Sequence, residues 1–284
     1  MAKVDFHSHS NCSDGLLSPS EMVKRAYKNN LKYFALTDHD TISGLDEAYK
    51  AAKELNINFF PGIELSTEYN NESIHILGFF KDDTYKDPKL VEFLQELKNR
   101  RIERMRKMVN KLKKEFNISV NIDNVLKAGK DVVARPHVAR EIINEGYNYT
   151  FDEIFKTMIG KGCPAYVPIN RLSTEEGIDF LHKYNALVFL AHPVLIKYSK
   201  VEDFLKFNFD GMESIYYQNS KEDEKYLINL AIKNNLLISA GSDCHGDFVN
   251  DNRHGDVGSK DLPDEYLIEF LNKYMKRGCE ITPK

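Results

Sequence analysis

The chain opens with Val4-Asp5-Phe6-His7-Ser8-His9-Ser10, and Asp14 follows a few residues later. This short alternation of apolar and polar residues predicts a β-strand, in which side chains two residues apart face the same side. His7 and His9 therefore point together, and two neutral imidazoles side by side can begin a metal site, to which Asp14 would add an oxygen. Paired histidines satisfied by ordinary hydrogen bonds would explain this stretch equally well, so the clusters further along the chain decide between the two interpretations.

The composition sets the size and the class of the protein. With 284 residues, of which 42% are hydrophobic, the chain is long enough for one large α/β domain or for a barrel with an insertion. The formal net charge of -4 provides no overall basic field, so bulk attraction to nucleic acid is not implied. The cysteines are scattered without a Cys-x-x-Cys spacing, at Cys12, Cys163, Cys244 and Cys279. This pattern favours reduced thiols over a disulfide framework or a zinc knuckle.

The first residues do not resemble a signal peptide, because the charged Lys3 and Asp5 interrupt them. No apolar run approaches the length that spans a membrane. We therefore expect a cytoplasmic enzyme that has no membrane contact, and no feature of the sequence indicates an obligate protein partner.

Strands and helices alternate along most of the chain. Ser18-Pro19-Ser20-Glu21 predicts a helix start with a capping box, as does Ser173-Thr174-Glu175-Glu176, and a capped helix is predicted over about 43–55. Two later helices are predicted over about 223–233 and 264–277. Short apolar strands lie between the helices, at about 33–37, 58–64, 73–78, 186–191, 211–216 and 236–242. This order is typical of a parallel sheet or a βα barrel.

From residue 87 to about 163 the pattern changes to successive helices. A long charge-rich helix is predicted over Pro88 to Phe116, and shorter ones around 122–128, 136–145 and 151–160. We therefore expect a helical insertion over 87–163, acting as a substrate lid, within a barrel formed by 1–86 and 164–284. The interleaved Lys, Arg and Glu residues of the long helix are typical of a solvated face, with a nucleic-acid patch as the alternative.

Arg135-Pro136-His137 begins one of the inserted helices. A cation and an imidazole at the amino terminus of a helix are suited to binding a phosphate. The alternative is an ordinary helix start with Arg135 exposed to solvent.

Polar groups recur where the predicted strands end. Carboxyl ends of parallel strands form the rim on which βα barrels assemble their active sites. Nine candidates arrive there: His7, His9, Asp14, His39, Glu64, His75, His192, Asp243 and His245. Their number exceeds what one tetrahedral ion needs, so we infer a multinuclear metal site.

Taken in order, these motifs resemble the polymerase and histidinol phosphatase (PHP) family. The matching stretches are Asp5-Phe6-His7-Ser8-His9-Ser10, Thr37-Asp38-His39-Asp40, Gly62-Ile63-Glu64, His75, Ala191-His192-Pro193 and Ser242-Asp243-Cys244-His245. The resemblance implies an α/β fold, a distorted (β/α)7 TIM-like barrel with a helical insertion, and three divalent ions of manganese, iron or zinc. The ligands it implies are His7, His9, Glu64 and Asp243 for one ion, Glu64, His75 and His192 for a second, and Asp14, His39 and His245 for a third. Glu64 would bridge two ions.

The insertion and its Arg135-Pro136-His137 stretch are similar to one subgroup of that family. Its members remove the 3′-phosphate from nucleoside 3′,5′-bisphosphates and degrade short RNA from its 5′ end. The resemblance implies that Arg135 and His137 contact a substrate phosphate. Arg253 and His254, in the polar loop after the last strand, would also reach the phosphate or would belong to a plain surface loop.

The predicted reaction is in-line hydrolysis of a nucleotide phosphate ester by metal-bound hydroxide, without a covalent enzyme intermediate. Asp243 or His245 would handle the proton, and His192 would donate to the leaving group if it is not a ligand. Two alternatives remain: a phosphatase for histidinol phosphate or another small metabolite, and a non-catalytic metal-binding module. The complete set of predicted ligands argues against the module.

Overall fold

Seven strands of one sheet curve into a nearly closed barrel. The computed structural model describes residues 4–129, 132–246, 251 and 253–276. The strands are β1 (Val4–Asp5), β2 (Tyr33–Leu36), β3 (Asn58–Tyr69), β4 (Glu72–Phe80), β5 (Leu172–Ser173), β6 (Ala186–Leu190), β7 (Gly211–Tyr216) and β8 (Leu237–Gly241). Their order is β1-β2-β3-β4-β6-β7-β8, while β5 pairs with β3. The Phe6 N–H donates to the Ala240 carbonyl at 3.0 Å and so links the two ends of the sheet. The predicted TIM-like barrel is confirmed.

Helices connect the strands and form the inserted segment. They are α1 (Pro19–Lys28), α2 (Leu45–Glu54), α3 (Pro88–Phe116), α4 (Ile122–Gly129), α5 (Arg135–Asn144), α6 (Phe151–Ile154), α7 (Thr174–Lys183), α8 (Lys221–Lys233) and α9 (Asp264–Lys276). Both predicted capping boxes are present, at the starts of α1 and α7. The predicted side-chain cap of α2 is wrong, because Gly44 occupies that position and forms no side-chain hydrogen bond. The helix predicted to end near residue 160 stops at Ile154 and continues as one π-helical turn.

The direction of β4 corrects the prediction of an all-parallel barrel. β4 runs antiparallel to both β3 and β6. The cause is a two-residue turn at Asn70 and Asn71, whose φ angles are 49° and 61°, as a tight hairpin turn requires. Glu64 consequently lies in the middle of a long strand, and not at a strand end as predicted. His75 lies in the first half of β4, which the reversal brings back to the carboxyl rim.

An aromatic cluster lies in the hydrophobic core of the barrel. Phe6 stacks on Phe270 of α9 with ring centroids 4.5 Å apart, and it meets Phe60 edge to face at 5.3 Å. All three rings are buried. Burying a large aromatic side chain stabilises a fold by roughly 1.5–3 kcal/mol, so this cluster supports the strands that position the rim.

The chain divides into two compact units, Met1–Val91 with Arg171–Lys284 and Glu92–Asn170. The second unit has an apolar core of its own, built chiefly from α3, α5 and the π-helical turn, with Met105, Met108, Leu112, Val138, Ile142 and Ile159 among its buried members. The predicted role of residues 87–163 as a substrate lid stays a prediction.

No helix in the described ranges has both the length and the apolar character that crossing a bilayer demands. Cys12, Cys163 and Cys244, the cysteines in the described part of the chain, are not joined in disulfides. Cys279, Lys3 and the predicted helix end at Arg277 lie outside the described residues.

Candidate metal centre

The opening stretch directs two imidazoles into the barrel mouth. β1 ends at Asp5, earlier than predicted, yet the extended chain stays attached to both neighbours. The Thr37 N–H donates to the Ser8 carbonyl and the His9 N–H donates to the Cys244 carbonyl, each at 2.9 Å. The Ser8 hydroxyl points the other way. As a result, the Nε2 atoms of His7 and His9 lie 3.1 Å apart.

Glu64 lies at the centre of the site and is fully buried. Its Oε1 is 2.8 Å from His75 Nδ1 and 2.9 Å from His192 Nε2. Its Oε2 is 2.9 Å from His39 Nδ1, 3.2 Å from His9 Nε2 and 3.3 Å from His7 Nε2. One carboxylate therefore faces five imidazoles, which is the arrangement expected of a group that bridges cations.

Four overlapping groups of donor atoms lie in the described part of the site, and three of them contain only predicted ligands. The fourth joins Asp243 and His245 to His254. Group A consists of His7, His9, Glu64 and Asp243. Group B consists of His39, Glu64 and His75, and His192 lies on the same Glu64 oxygen as His75. Group C consists of His9, Asp14, His39 and His245. In group A, Asp243 Oδ1 is 2.9 Å from His9 Nε2. In group C, Asp14 Oδ1 is 3.2 Å from His245 Nε2. The structure thus brings all nine predicted ligand residues together.

The donor set fits divalent cations. Imidazole nitrogens and carboxylate oxygens are the ligands of zinc, iron and manganese sites. In the described part of the chain, three buried atoms of the centre form no hydrogen bond of good geometry: His9 Nδ1, His39 Nδ1 and Glu64 Oε2. The last two lie 2.9 Å apart, within ion-pair distance of each other. A buried polar atom without a hydrogen bond costs about 1–3 kcal/mol, and a coordinated cation would satisfy all three.

Electrostatics hold the centre in mutually compensating charge states. Burial opposes the charged form of His39, but the charges of Glu64 and Asp14 outweigh it and raise the pKa of His39 to about 10. Burial likewise opposes the charged form of His245, but the charge of Asp14 outweighs it and raises the pKa of His245 to about 9. Burial also opposes ionisation of Glu64, yet the surrounding imidazoles hold its pKa well below the usual range. Binding a cation would therefore displace protons from this centre.

Two further carboxylates support the ligands, and neither was assigned a role from the sequence. Buried Asp5 accepts the N–H of Ser242 at 3.0 Å and that of Gly258 at 2.8 Å, which fastens the end of β8 to β1. Buried Asp38 accepts the Ser10 N–H at 2.7 Å and fixes the loop that carries Asp14. The sequence did carry a signal for these two residues, namely an acidic residue next to apolar strand residues. A carboxylate in such a place is buried and needs hydrogen-bonding partners inside the protein.

His254 belongs to the edge of the centre. Its Nε2 lies 3.5 Å from Asp243 Oδ2, and its ring stacks on that of His245 with centroids 4.2 Å apart. Its Nδ1 lies 2.5 Å from Asp251 Oδ2, so this residue is anchored. Arg253 is exposed, and its backbone N–H donates to Asp251. Phosphate contact by both residues stays a prediction.

In the helical unit, Arg135 and His137 lie in the first turn of α5. The Arg135 guanidinium lies over the rings of Phe155 and Tyr166, at 5.5 and 5.7 Å from their centroids. His137 is buried, and its Nδ1 accepts the N–H of Ala134 at 3.0 Å, which caps the helix. One ring nitrogen of His137 thus has a structural role, while the phosphate contacts predicted for the two residues stay predictions.

The fold and the site together define an α/β-barrel enzyme that gathers histidines and carboxylates at one rim for divalent metal ions. Residues 5–247 match the PHP domain. The chain belongs to the PHP domain family, as its motifs predicted, and the predicted class of phosphoesterase is confirmed with it.

Two relatives that match most of the chain are named for activities on RNA and on nucleoside bisphosphates. A 5′-3′ exoribonuclease of Haemophilus influenzae is 34% identical over 249 residues, which cover 86% of this chain and 90% of that protein. A 3′,5′-nucleoside bisphosphate phosphatase of Chromobacterium violaceum is 29% identical over 253 residues, covering 86% of this chain and 88% of that protein.

Solved structures show the same fold. A protein described as a metal-dependent phosphoesterase from Bifidobacterium adolescentis superposes with a TM-score of 0.77 at 26% identity, over 96% of each chain. A protein from Chromobacterium violaceum, described as an amidohydrolase with bound sulfate and no metal, superposes with a TM-score of 0.79 at 28% identity, over 96% of this chain and 97% of that one.

Proposed function

We propose that this phosphoesterase removes the 3′-phosphate from nucleoside 3′,5′-bisphosphates and degrades short RNA from its 5′ end. The observation that carries the hydrolytic role is the placement of Glu64, a fully buried carboxylate whose two oxygens face five histidines. Bridging carboxylates of this kind occur where two or more cations act on one phosphoryl group.

We infer three divalent ions of manganese, iron or zinc. The residues that would hold them are His7, His9, Glu64 and Asp243 for the first, Glu64, His75 and His192 for the second, and Asp14, His39 and His245 for the third. Such ions acidify water and neutralise charge on phosphoryl oxygens. The overlap of groups A, B and C through His9, His39 and Glu64 supports a multinuclear site in preference to a single ion.

The protein's own groups would manage the protons. Asp243 or His245 would handle the proton. Nδ1 of His245 lies 2.7 Å from the Asp243 carbonyl and must donate to it, so Nε2 is the nitrogen of His245 that would take up a proton. His192 Nε2 is 2.9 Å from Glu64 and would donate to the leaving oxygen only if it is not a ligand.

Nucleotide substrates are favoured by two relatives of the chain, one named for nucleoside bisphosphates and one for RNA. A structural neighbour at 28% identity binds sulfate, a tetrahedral oxyanion of the same shape as phosphate. A nucleoside bisphosphate and an RNA both present a phosphate to the site, so both substrates belong in the test.

The test measures phosphate release from adenosine 3′,5′-bisphosphate, nucleotide release from a short 5′-phosphorylated RNA, and turnover of histidinol phosphate, each with manganese added. We expect activity on both nucleotide substrates and none on histidinol phosphate. Turnover of histidinol phosphate alone would replace the proposal with the small-metabolite phosphatase. Metal binding without any turnover would favour the non-catalytic module.

Two variants separate the parts of the proposal. Asp243→Ala removes a carboxylate of group A and should abolish activity. Arg135→Ala should lower kcat/KM for nucleotides by about tenfold or more, the effect of one lost charge-assisted hydrogen bond. The matched control is Arg140→Ala, which removes an exposed arginine from the same helix. Equal losses in the two arginine variants would reject a phosphate contact at Arg135.

A further inference from the structure

Glu213 is a fully buried carboxylate that connects two of the predicted ligands. It lies in β7, and its Oε1 and Oε2 lie 3.0 and 3.2 Å from Nδ1 of His7. Its Oε2 also accepts the backbone N–H of His192 at 2.7 Å. His7 is a proposed ligand of the first ion and His192 of the second. The Glu213 side chain therefore contacts ligands of two different ions.

The bond to His7 determines which ring nitrogen faces the metal position. A carboxylate only accepts hydrogen bonds, so Nδ1 of His7 must carry the proton and donate it. The lone pair is then on Nε2, the atom that lies 3.1 Å from His9 Nε2 and 3.4 Å from Asp243 Oδ1. Glu213 therefore holds His7 in the tautomer that a metal ligand requires.

The bond to His192 holds an unusual backbone conformation. His192 has a φ of 27° and precedes Pro193, a position where the helical region of backbone space is disfavoured. This turn aims the imidazole at Glu64 Oε1, 2.9 Å away. Because the N–H at the turn is bonded to Glu213, the direction of the His192 side chain depends on the same carboxylate that orients His7.

The neighbouring strand makes room for this carboxylate. A Cβ atom at Gly241 would lie 2.2 Å from Glu213 Oε1 and 2.4 Å from the Cβ of His7. Only glycine allows the backbone of β8 to approach that closely. The absence of a side chain at Gly241 therefore leaves the space in which Glu213 contacts His7.

We propose that Glu213 is a positioning residue that orients His7 and His192 together, so that the first and second metal ions bind interdependently. The proposal rests on the metal-holding part of the proposed function and is independent of the substrate. Its test reads metal binding directly, so an error in the substrate assignment would leave the result interpretable.

The test compares Glu213→Gln with wild type by manganese titration calorimetry and by metal analysis after dialysis. A glutamine amide has one acceptor oxygen, and its NH₂ group would replace an oxygen that lies 3.0 or 3.2 Å from His7 Nδ1. The negative charge and one acceptor beside His7 are lost, so the orientation of His7 is weakened first, while the oxygen that remains is shared with the His192 N–H. We expect affinity to fall by about 10–100-fold, the usual effect of removing a group that supports a ligand, with more than one ion lost together. Wild-type affinity and stoichiometry in the folded variant would overturn the proposal.

Glu72→Gln is the matched control. Glu72 is also a buried glutamate, and it accepts backbone N–H groups from Lys197, Tyr198 and Ser199, none of which is a predicted ligand. It should lower stability while manganese affinity stays unchanged. An equal loss of metal in both variants would show a general structural effect and reject the positioning role.

A measurement on the wild-type protein covers the case in which Glu213→Gln does not fold. With zinc bound and histidines labelled with ¹⁵N, long-range ¹H–¹⁵N spectra report the tautomer of each ring. His7, assigned by its absence in His7→Gln, should show a protonated Nδ1. A protonated Nε2 on His7 would overturn the proposal.

Discussion

The Tyr216 hydroxyl donates a hydrogen bond to Asp243 Oδ2 at 2.9 Å. Burial and the charge of Asp243 raise the pKa of Tyr216 above its ordinary value, so the phenol remains a donor. The other oxygen of Asp243 is the one that faces His9, 2.9 Å from its Nε2. Tyr216 thus occupies one carboxylate oxygen and leaves the other directed at group A.

Tyr216→Phe should weaken catalysis without unfolding the protein. The change removes the hydrogen bond that orients Asp243, and losses of about 10-fold in metal affinity or activity are typical of such bonds. Manganese-dependent phosphate release and the unfolding midpoint would be measured together. Tyr226→Phe is the control, because it deletes an exposed hydroxyl that bonds to Glu202. Full activity of Tyr216→Phe would show that Asp243 keeps its orientation unaided.

Glu64→Gln should reduce metal content more than any single histidine variant. An amide has one acceptor oxygen and one donor nitrogen, so it cannot offer lone pairs to groups A and B at once. We expect manganese bound after dialysis to fall by more than one ion, against about one for His75→Gln. Metal analysis of the two folded variants makes the comparison, and equal losses would show that Glu64 does not bridge.

The stability of the metal-free protein should fall as the pH rises above 6.5. In the metal-free protein the pKa of His39 is about 10 and that of His245 about 9, against 6.5 for an ordinary histidine. The folded state therefore holds more protons than the unfolded state from about pH 6.5 upward. Stability from these pairs is complete below pH 6.5 and is lost as pH rises through 9 to 10.

Metal binding releases protons, so the stabilisation that manganese provides should grow with pH over the same interval. The unfolding temperature would be recorded from pH 6.5 to 9.5 with a chelator and with excess manganese. We expect a falling profile with the chelator and a widening gap between the two profiles. A metal-free profile that rises with pH would contradict the proposed pairing of these histidines.

Glu72→Ala should destabilise the barrel by about 1–3 kcal/mol, because it removes one carboxylate that accepts three backbone N–H groups. The donors belong to the loop of residues 197–199. Denaturant unfolding would measure the loss, with Glu176→Ala as a control for removing a glutamate whose contacts are confined to a helix cap. A loss no larger than that of the control would mean that water replaces the carboxylate.

The sequence by itself determined the order of elements and most of the candidate site. Apolar strands followed by polar residues predicted the barrel, and the capping boxes at the starts of α1 and α7 depend only on residues within one turn. The nine candidate ligands were found because each carries its chemistry in its side chain and lies in or close behind a recognisable strand. Such local signals do not require knowledge of which elements meet.

Only the tertiary structure decided the direction of β4 and the partners of the ligands. The Asn70-Asn71 turn reverses the chain, and so His75 reaches the rim from an antiparallel strand. Glu213 was missed because its partners, His7 and His192, are 206 and 21 residues away in the sequence. A buried acid shows in the sequence as a charge within a strand, but which imidazole it orients is fixed by how the strands close into a barrel.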